Sequence, residues 1–282
     1  EGNAADKAIR NALNTTPVTV LAENAENMAM INTDFTDRVK TKGITNQKSS
    51  GRCWLFTGLN VLRADVISKY KLDKFEFSQC YCFFWDQLEK SNLFLQAVID
   101  TREKGMDDRE VDWLFSHPIS DGGTFTGVAD LISKYGLVPS YAMKESFVAN
   151  RTSEMQAQLR TILRQDGLAL REIPSTVKAK DIPAFQQKRK LEMLKEIYRV
   201  LALCYGVPPA SFEWQGREYT PVEFYRELLG YDLQNDYVMI MNDPTREYWK
   251  VYEVEYDRHA YDGHNWKHVN LPMEEIKKIA VE

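Results

Sequence analysis

A mixed α+β fold is what this chain predicts, and three observations carry the prediction. Apolar residues recur at three- and four-residue spacing over Cys53–Tyr70 and again from about Ser78 to Leu95, the period of helices with one buried face. Charged, Gln-rich helical patterns dominate residues 150–229. Alternation of β-favouring residues then appears in Asp236–Asn242 and Tyr248–Tyr256. At 282 residues, with 44% apolar and 27% charged, the chain can bury a core and has an ordinary globular composition. Its aromatic share of 12% favours a fold with much buried ring surface.

In chain order, residues 1–40 mix a short helical pattern with polar connections. Asn46 to Gly51 is a polar turn that runs into the Cys53–Tyr70 helix, with Cys53 in the first turn. After the second helix, Asp121-Gly122-Gly123 makes a turn, and Thr126–Tyr135 reads as a helix closed by Gly136, with Pro139 soon after. Helical patterns follow at Ser153–Gln165 and Ile182–Cys204, separated by a strand-like Ala169–Ile173. The Gly206-to-Pro209 segment is a break, and Pro221 starts another helix. A last helical pattern begins at Pro272, carries Glu274 and Glu275 in its first turn and Ile276 and Ile279 on its apolar period. It reaches Val281-Glu282 without a closing signal, so the expectation is a polypeptide cut at that point. Glu1 in place of Met likewise implies a processed or trimmed start. No internal repeat or low-complexity tract occurs.

The net charge of −5 offers no electrostatic footprint for nucleic acid, and the longest basic run, Lys188-Arg189-Lys190, reads as a solvated helix face. No stretch nears the roughly 18 to 20 apolar residues that cross a bilayer. Four cysteines are too few and too unevenly placed for a disulfide framework, which favours a reducing, cytoplasmic setting; a periplasmic or secreted location stays open. Cys80 and Cys82 face different directions on one helix and, like Cys204, read as buried thiols. His259, His264 and His268, with Asp257 and Asp262, invite a metal reading, but their spacing matches no strong ligand motif and no metal is assigned.

Thiol-based peptide hydrolysis needs a thiolate, a proton carrier and donors aimed at the developing oxyanion. A Cys at the start of a helix meets unpaired N–H groups and the positive end of the helix dipole, which favour thiolate. Cys53 is placed that way, after the small residues Ser49, Ser50 and Gly51. Gln47, six residues upstream, can bring an amide N–H beside the Cys53 backbone N–H and so complete an oxyanion hole. Alone, a Cys opening an apolar helix is usually a small core residue, and an Asp-Gly-Gly string is usually an ordinary turn.

The string from Asn46 to Trp54, ending Gly51-Arg52-Cys53-Trp54, resembles the nucleophile segment of papain-like cysteine peptidases. Two departures, Ser50 in place of a disulfide-forming Cys and Arg52 in place of Ser or Ala, match the bleomycin hydrolase and aminopeptidase C group. The strings Phe75–Gln79, Phe83–Asp86, Asp121–Gly123, Tyr135–Pro139, Thr220–Arg226 and Asn242–Pro244 are similar to that group as well. The resemblance implies an α+β, papain-like fold, with a helical lobe over 1–149, a helical insertion over 150–229 used for subunit contacts, and an incomplete β-rich lobe over 230–282. It implies Cys53 as nucleophile, Gln47 as oxyanion donor, and Gly122 with Gly123 as the turn that pairs with the substrate main chain. The implied activity is peptide hydrolysis, with removal of N-terminal residues, on peptide substrates and by a homo-oligomer, with no cofactor, nucleic acid or membrane. A non-catalytic half that binds peptides or a partner chain stays open. The family's His base precedes an apolar strand and its Asn lies in an Asn-Ser-Trp string; neither context occurs here, and His117 and His264 match no such position.

Overall fold

The computed structural model describes residues 3–36, 38–39, 41–254, 257–263 and 265–281, so His264, Glu255 and Tyr256 lie outside the described residues. The chain divides into two compact units, Glu1–Val39 and Lys40–Glu282. The first holds helices α1 (Ala4–Leu13), α2 (Val18–Leu21) and α3 (Ala25–Met30), none with a buried residue. Asn3 and Asp6 exchange side-chain-to-backbone hydrogen bonds at the start of α1, and Asn24 caps α3 the same way from one side.

In the second unit the helices are α4 (Cys53–Tyr70), α5 (Gln79–Asp100), α6 (Arg109–Ser116), α7 (Phe125–Tyr135), α8 (Thr152–Arg171) and α9 (Ile182–Tyr205). A hairpin of β1 (Phe212–Trp214) and β2 (Arg217–Tyr219) leads to α10 (Pro221–Leu229). Strands β3 (Met239–Met241), β4 (Lys250–Glu253) and β5 (Lys267–Asn270) form one sheet, and α11 (Met273–Val281) follows. β5 is central, parallel to β3 and antiparallel to β4, so that Val269 faces both Ile240 and Val251.

The core is built on α5, which packs against α4, α7, α8 and α9. Its first turns bury Cys80, Tyr81, Cys82, Phe83 and Phe84, and Ser78 caps it by accepting a hydrogen bond from the Tyr81 N–H at 3.1 Å. A capping box between Thr220 and Glu223, with Pro221 as first residue, starts α10. Asn270 is fully buried at the end of β5, and its amide donates to the carbonyls of Asp243, Arg246 and Glu247, which fixes the connection from β3 to β4.

The strand-like reading of Ala169–Ile173 is corrected: α8 runs through to Arg171. Leu159, Leu163 and Leu170 are all buried at helical spacing, so the core claims this segment by a period longer than the local alternation. Glu172 is extended and Pro174 follows, where the helix can no longer continue.

Candidate active site

Trp54, Leu55, Leu59 and Leu62 are buried along α4, each burial worth about 2 kcal/mol, and they anchor the helix start. Cys53 itself is exposed. The residue before it, Arg52, sits at φ −91°, ψ 20° and gives the helix no side-chain cap. The first-turn N–H groups of α4 therefore lack an intrahelical partner beside an open thiol, with the positive end of the helix dipole at the same place.

The loop leading in is tied into a small ring. The Gln47 amide Nε2 donates to the Ser50 carbonyl at 2.6 Å, and the Ser50 hydroxyl donates back to the Gln47 carbonyl at 2.6 Å. Arg52 Nε donates to the same hydroxyl at 2.9 Å. The guanidinium then forks onto Glu145, at 3.2 Å and 2.8 Å, while lying about 5 Å over the rings of Phe56 and Phe83.

The Asp121–Gly123 turn stands against this loop. The Gly51 N–H donates to Asp121 Oδ2 at 2.7 Å, Thr152 Oγ1 donates to the same oxygen at 2.5 Å, and the Trp54 indole N–H donates to the Asp121 carbonyl at 2.9 Å. A Cβ on Gly51 would stand 2.3 Å from Asp121 Oδ1, so a side chain there would have to displace the carboxylate that Gly51 and Thr152 hold. Gly123 has the same constraint, because a Cβ would come within 2.7 Å of the Trp54 ring. From below, Lys90 Nζ donates to the carbonyls of Ser120 at 3.1 Å and Gly122 at 2.6 Å, and to Asp86 Oδ2 at 2.8 Å. Among the described residues no hydrogen bond engages the Gly123 main chain.

Asp86 is wholly buried. Burial alone would raise its pKa, but Lys90 and His259 outweigh that and hold it below the usual carboxylate range. His259 Nδ1 lies 3.3 Å from Asp86 Oδ1, its ring 5.6 Å from that of Trp54, and its backbone N–H donates to Asp130 at 2.9 Å. His268 pairs with Asp257 at 2.9 Å, and His117 contacts the Trp113 carbonyl at 3.2 Å. Among the described residues none of these histidines hydrogen-bonds to Cys53, and no group of three or more His, Cys, Asp or Glu could hold a metal ion.

The other cysteines are built differently. Cys80 and Cys82 are buried, and burial pushes both thiols up to about 12. Cys204 is half-buried rather than buried, a correction to the sequence reading, with its pKa also raised by burial. Limiting iodoacetamide on the folded protein is expected to label Cys53 first, Cys204 more slowly, and Cys80 and Cys82 last. Peptide mapping reads the order, and earlier labelling of any other thiol would contradict this account of the site.

Sequence reasoning singled out Cys53, Gln47 and the Gly122-Gly123 turn as candidates, and did not foresee the hydrogen bonds that Asp121, Asp86, Lys90 and Glu145 make around them. One signal was available: Arg52 immediately precedes the apolar first turn of α4, and a charge at such a place needs an opposite charge nearby.

An α+β, papain-like architecture with an exposed thiol at the start of a buried helix defines the class to which this chain belongs. Its family is the Peptidase C1-like family, whose model matches residues 1–282. The chain is 35% identical over 283 residues to Aminopeptidase C of Lactobacillus delbrueckii subsp. lactis, covering 96% of this chain and 62% of that protein. It is 40% identical over 257 residues to Aminopeptidase G of the same organism, covering 88% of this chain and 58% of that one. The crystal structure of PepW from Lactobacillus rhamnosis HN001 superposes with a TM-score of 0.83 at 32% identity, over 100% of this chain and 68% of that chain. The chain thus spans about three fifths of the length of these curated relatives.

Proposed function

We propose that this chain carries the nucleophile of a cysteine peptidase that removes N-terminal residues from peptides. The observation that carries the reading is the open Cys53 thiol at the uncapped start of α4, with the Gln47 amide held by the Ser50 carbonyl in the loop that leads into it. The names of the relatives, aminopeptidases C and G, favour release of N-terminal residues. In this reading the Cys53 thiolate attacks the scissile carbonyl, and the oxyanion is met by the Cys53 N–H and by Gln47. Gln47 Nε2 has two hydrogens; the Ser50 carbonyl takes one, which sets the amide plane and leaves the other for the oxyanion. Collapse of the tetrahedral intermediate expels the amine and leaves an acyl-thiol, which water hydrolyses.

Gly122 and Gly123 form the turn along which the substrate main chain lies. Lys90 already holds the Gly122 carbonyl, so pairing with substrate falls chiefly to Gly123. The general base is a histidine from outside residues 1–282, oriented by an asparagine. We further propose a homo-oligomer that uses α8 and α9, the core of a helical insertion over 150–229, in subunit contacts, and a cytoplasmic location. The described residues contain no helix long and apolar enough to cross a membrane.

The test is hydrolysis of aminoacyl-aminomethylcoumarin by the protein at its full natural length, compared with N-acetylated versions of the same substrates. Turnover of the free-amine substrates, lost on alkylation of Cys53 and weak on the acetylated ones, is expected. Turnover that survives full alkylation of Cys53 would sink the reading.

A further inference from the structure

Ser50 and Arg52, the two residues that depart from the common papain-type segment, are in contact with each other. Arg52 is completely buried one residue before the nucleophile and is held on three sides. Glu145, 93 positions away in the chain, takes its fork; Phe56 and Phe83 take its faces; Ser50 takes Nε. The Ser50 hydroxyl has one proton, and it is spent on the Gln47 carbonyl at 2.6 Å. Arg52 supplies the hydrogen bond that fixes which way that proton points, because Nε–H occupies an acceptor position of the same oxygen. A disulfide would fix this loop covalently; here a buried ion pair and a hydroxyl do so.

We infer that Arg52, anchored by Glu145, is a positioning residue that sets Gln47 relative to Cys53 through the Ser50 hydroxyl. The inference rests on the reading of Cys53 as nucleophile and Gln47 as oxyanion donor. Its physical basis is the fork: a planar guanidinium bound at both nitrogens to one carboxylate has a single orientation, which a lysine ammonium cannot reproduce. Arg52 also belongs to the backbone that opens α4, so one side chain references both the thiol and the loop that carries Gln47. Displacements of about 1 Å in such a constellation can cost about a hundredfold in rate, so a modest slackening of this loop is measurable.

Ser50→Ala removes the hydroxyl that joins Arg52 Nε to the Gln47 main-chain carbonyl. The Gln47 amide keeps its bond to the main-chain carbonyl of residue 50 and the Arg52–Glu145 fork stays in place; only a half-buried hydroxyl is lost. Arg52→Lys keeps the charge and loses the fork and Nε. In the protein at its full natural length, with rates normalised to titrated Cys53, both substitutions are expected to lower kcat about tenfold or more while KM stays within about threefold. Ser50→Thr, which keeps the hydroxyl, is expected to recover most of the loss. If kcat per titrated thiol stays within about threefold of wild type in both variants, or only the melting temperature falls, the inference is overturned. Failure of the peptidase reading looks different, because wild type itself would then show no turnover dependent on Cys53. The rate of Cys53 alkylation decides in that case: a change of about threefold or more in both variants sustains the coupling, and smaller changes overturn it.

Discussion

Gln47→Ala is expected to lower turnover about a hundredfold or more, with little change in KM and with the folded state intact. The expectation comes from where the Gln47 side chain is held. Its amide spans three residues to the Ser50 carbonyl at 2.6 Å, in a half-buried position, and no core side chain depends on it. In the proposed reaction, removing it deletes one donor to the oxyanion, which forms only in the transition state, so kcat carries the loss rather than substrate affinity. One oxyanion-hole donor is typically worth about 3 to 4 kcal/mol. The Ser50 carbonyl is left at a loop surface where water can replace the amide, so the stability cost stays within about 1 kcal/mol. Steady-state kinetics on aminoacyl-aminomethylcoumarin and a urea titration check both halves. Turnover within about threefold of wild type would show that Gln47 only stitches the loop together.

The contrast between Gln47 and Arg52 shows what the sequence could disclose about this site. Gln47, Cys53 and the Gly122-Gly123 turn are local features: a motif, a helix start and a turn can each be read from a few consecutive residues. The helices were legible for the same reason. α4 spans Cys53–Tyr70 as its apolar period predicts, α7 starts one residue before the expected Thr126 and is closed by the expected Gly136, and α10 starts at the expected Pro221. Short strands were less legible. The β1–β2 hairpin has three residues a side around Gln215-Gly216, and β5 has four, too few for alternation to stand out. The partners that hold the site are the least legible of all. Glu145 reaches Arg52 across 93 positions and His259 reaches Asp86 across 173, and such pairs exist only once the core has formed.

The aromatic and acidic residues around α5 make the same point from the energetic side. Trp85 stacks on Tyr135 with ring centroids 4.1 Å apart, and Glu89 takes Lys134 and the Tyr261 N–H at 2.6 Å and 2.8 Å. From the sequence, Trp85 stood only within the Phe83–Asp86 string, and Glu89 carried no signal. In the fold, α5 supplies Asp86, Glu89 and Lys90 on neighbouring turns, and these three join the Gly122 turn, α7 and the 257–262 segment. The helix that forms the core also supports the turn packed against Gly51 and Trp54, and its two buried acids, Asp86 and Glu89, are both paired.

The largest expected effect on stability belongs to Gly136→Ala, where α7 meets α10. Gly136 ends α7 at φ 77°, ψ −161°, a backbone region open almost only to glycine. A Cβ there would stand 2.1 Å from the carbonyl carbon and oxygen of Pro221 and 2.4 Å from the Val222 nitrogen. Those are main-chain atoms at the first turn of α10, and they have little room to retreat. Pro221, Phe224, Tyr225 and Leu228 bury that helix, and the Pro221 carbonyl accepts the Leu137 N–H at 3.0 Å. The conformational strain is of order 1 to 3 kcal/mol and forced overpacking adds about 1 to 3 kcal/mol, so a loss of roughly 3 kcal/mol or more is expected. Gly216→Ala separates the two contributions. Gly216 sits at nearly the same φ, 78°, but a Cβ there meets nothing within 4 Å, so only the backbone term of about 1 kcal/mol applies. Urea unfolding of the two variants beside wild type measures the difference. If Gly136→Ala costs no more than Gly216→Ala, the contact between the end of α7 and the start of α10 is not the rigid one described, and α10 can shift to admit a methyl group.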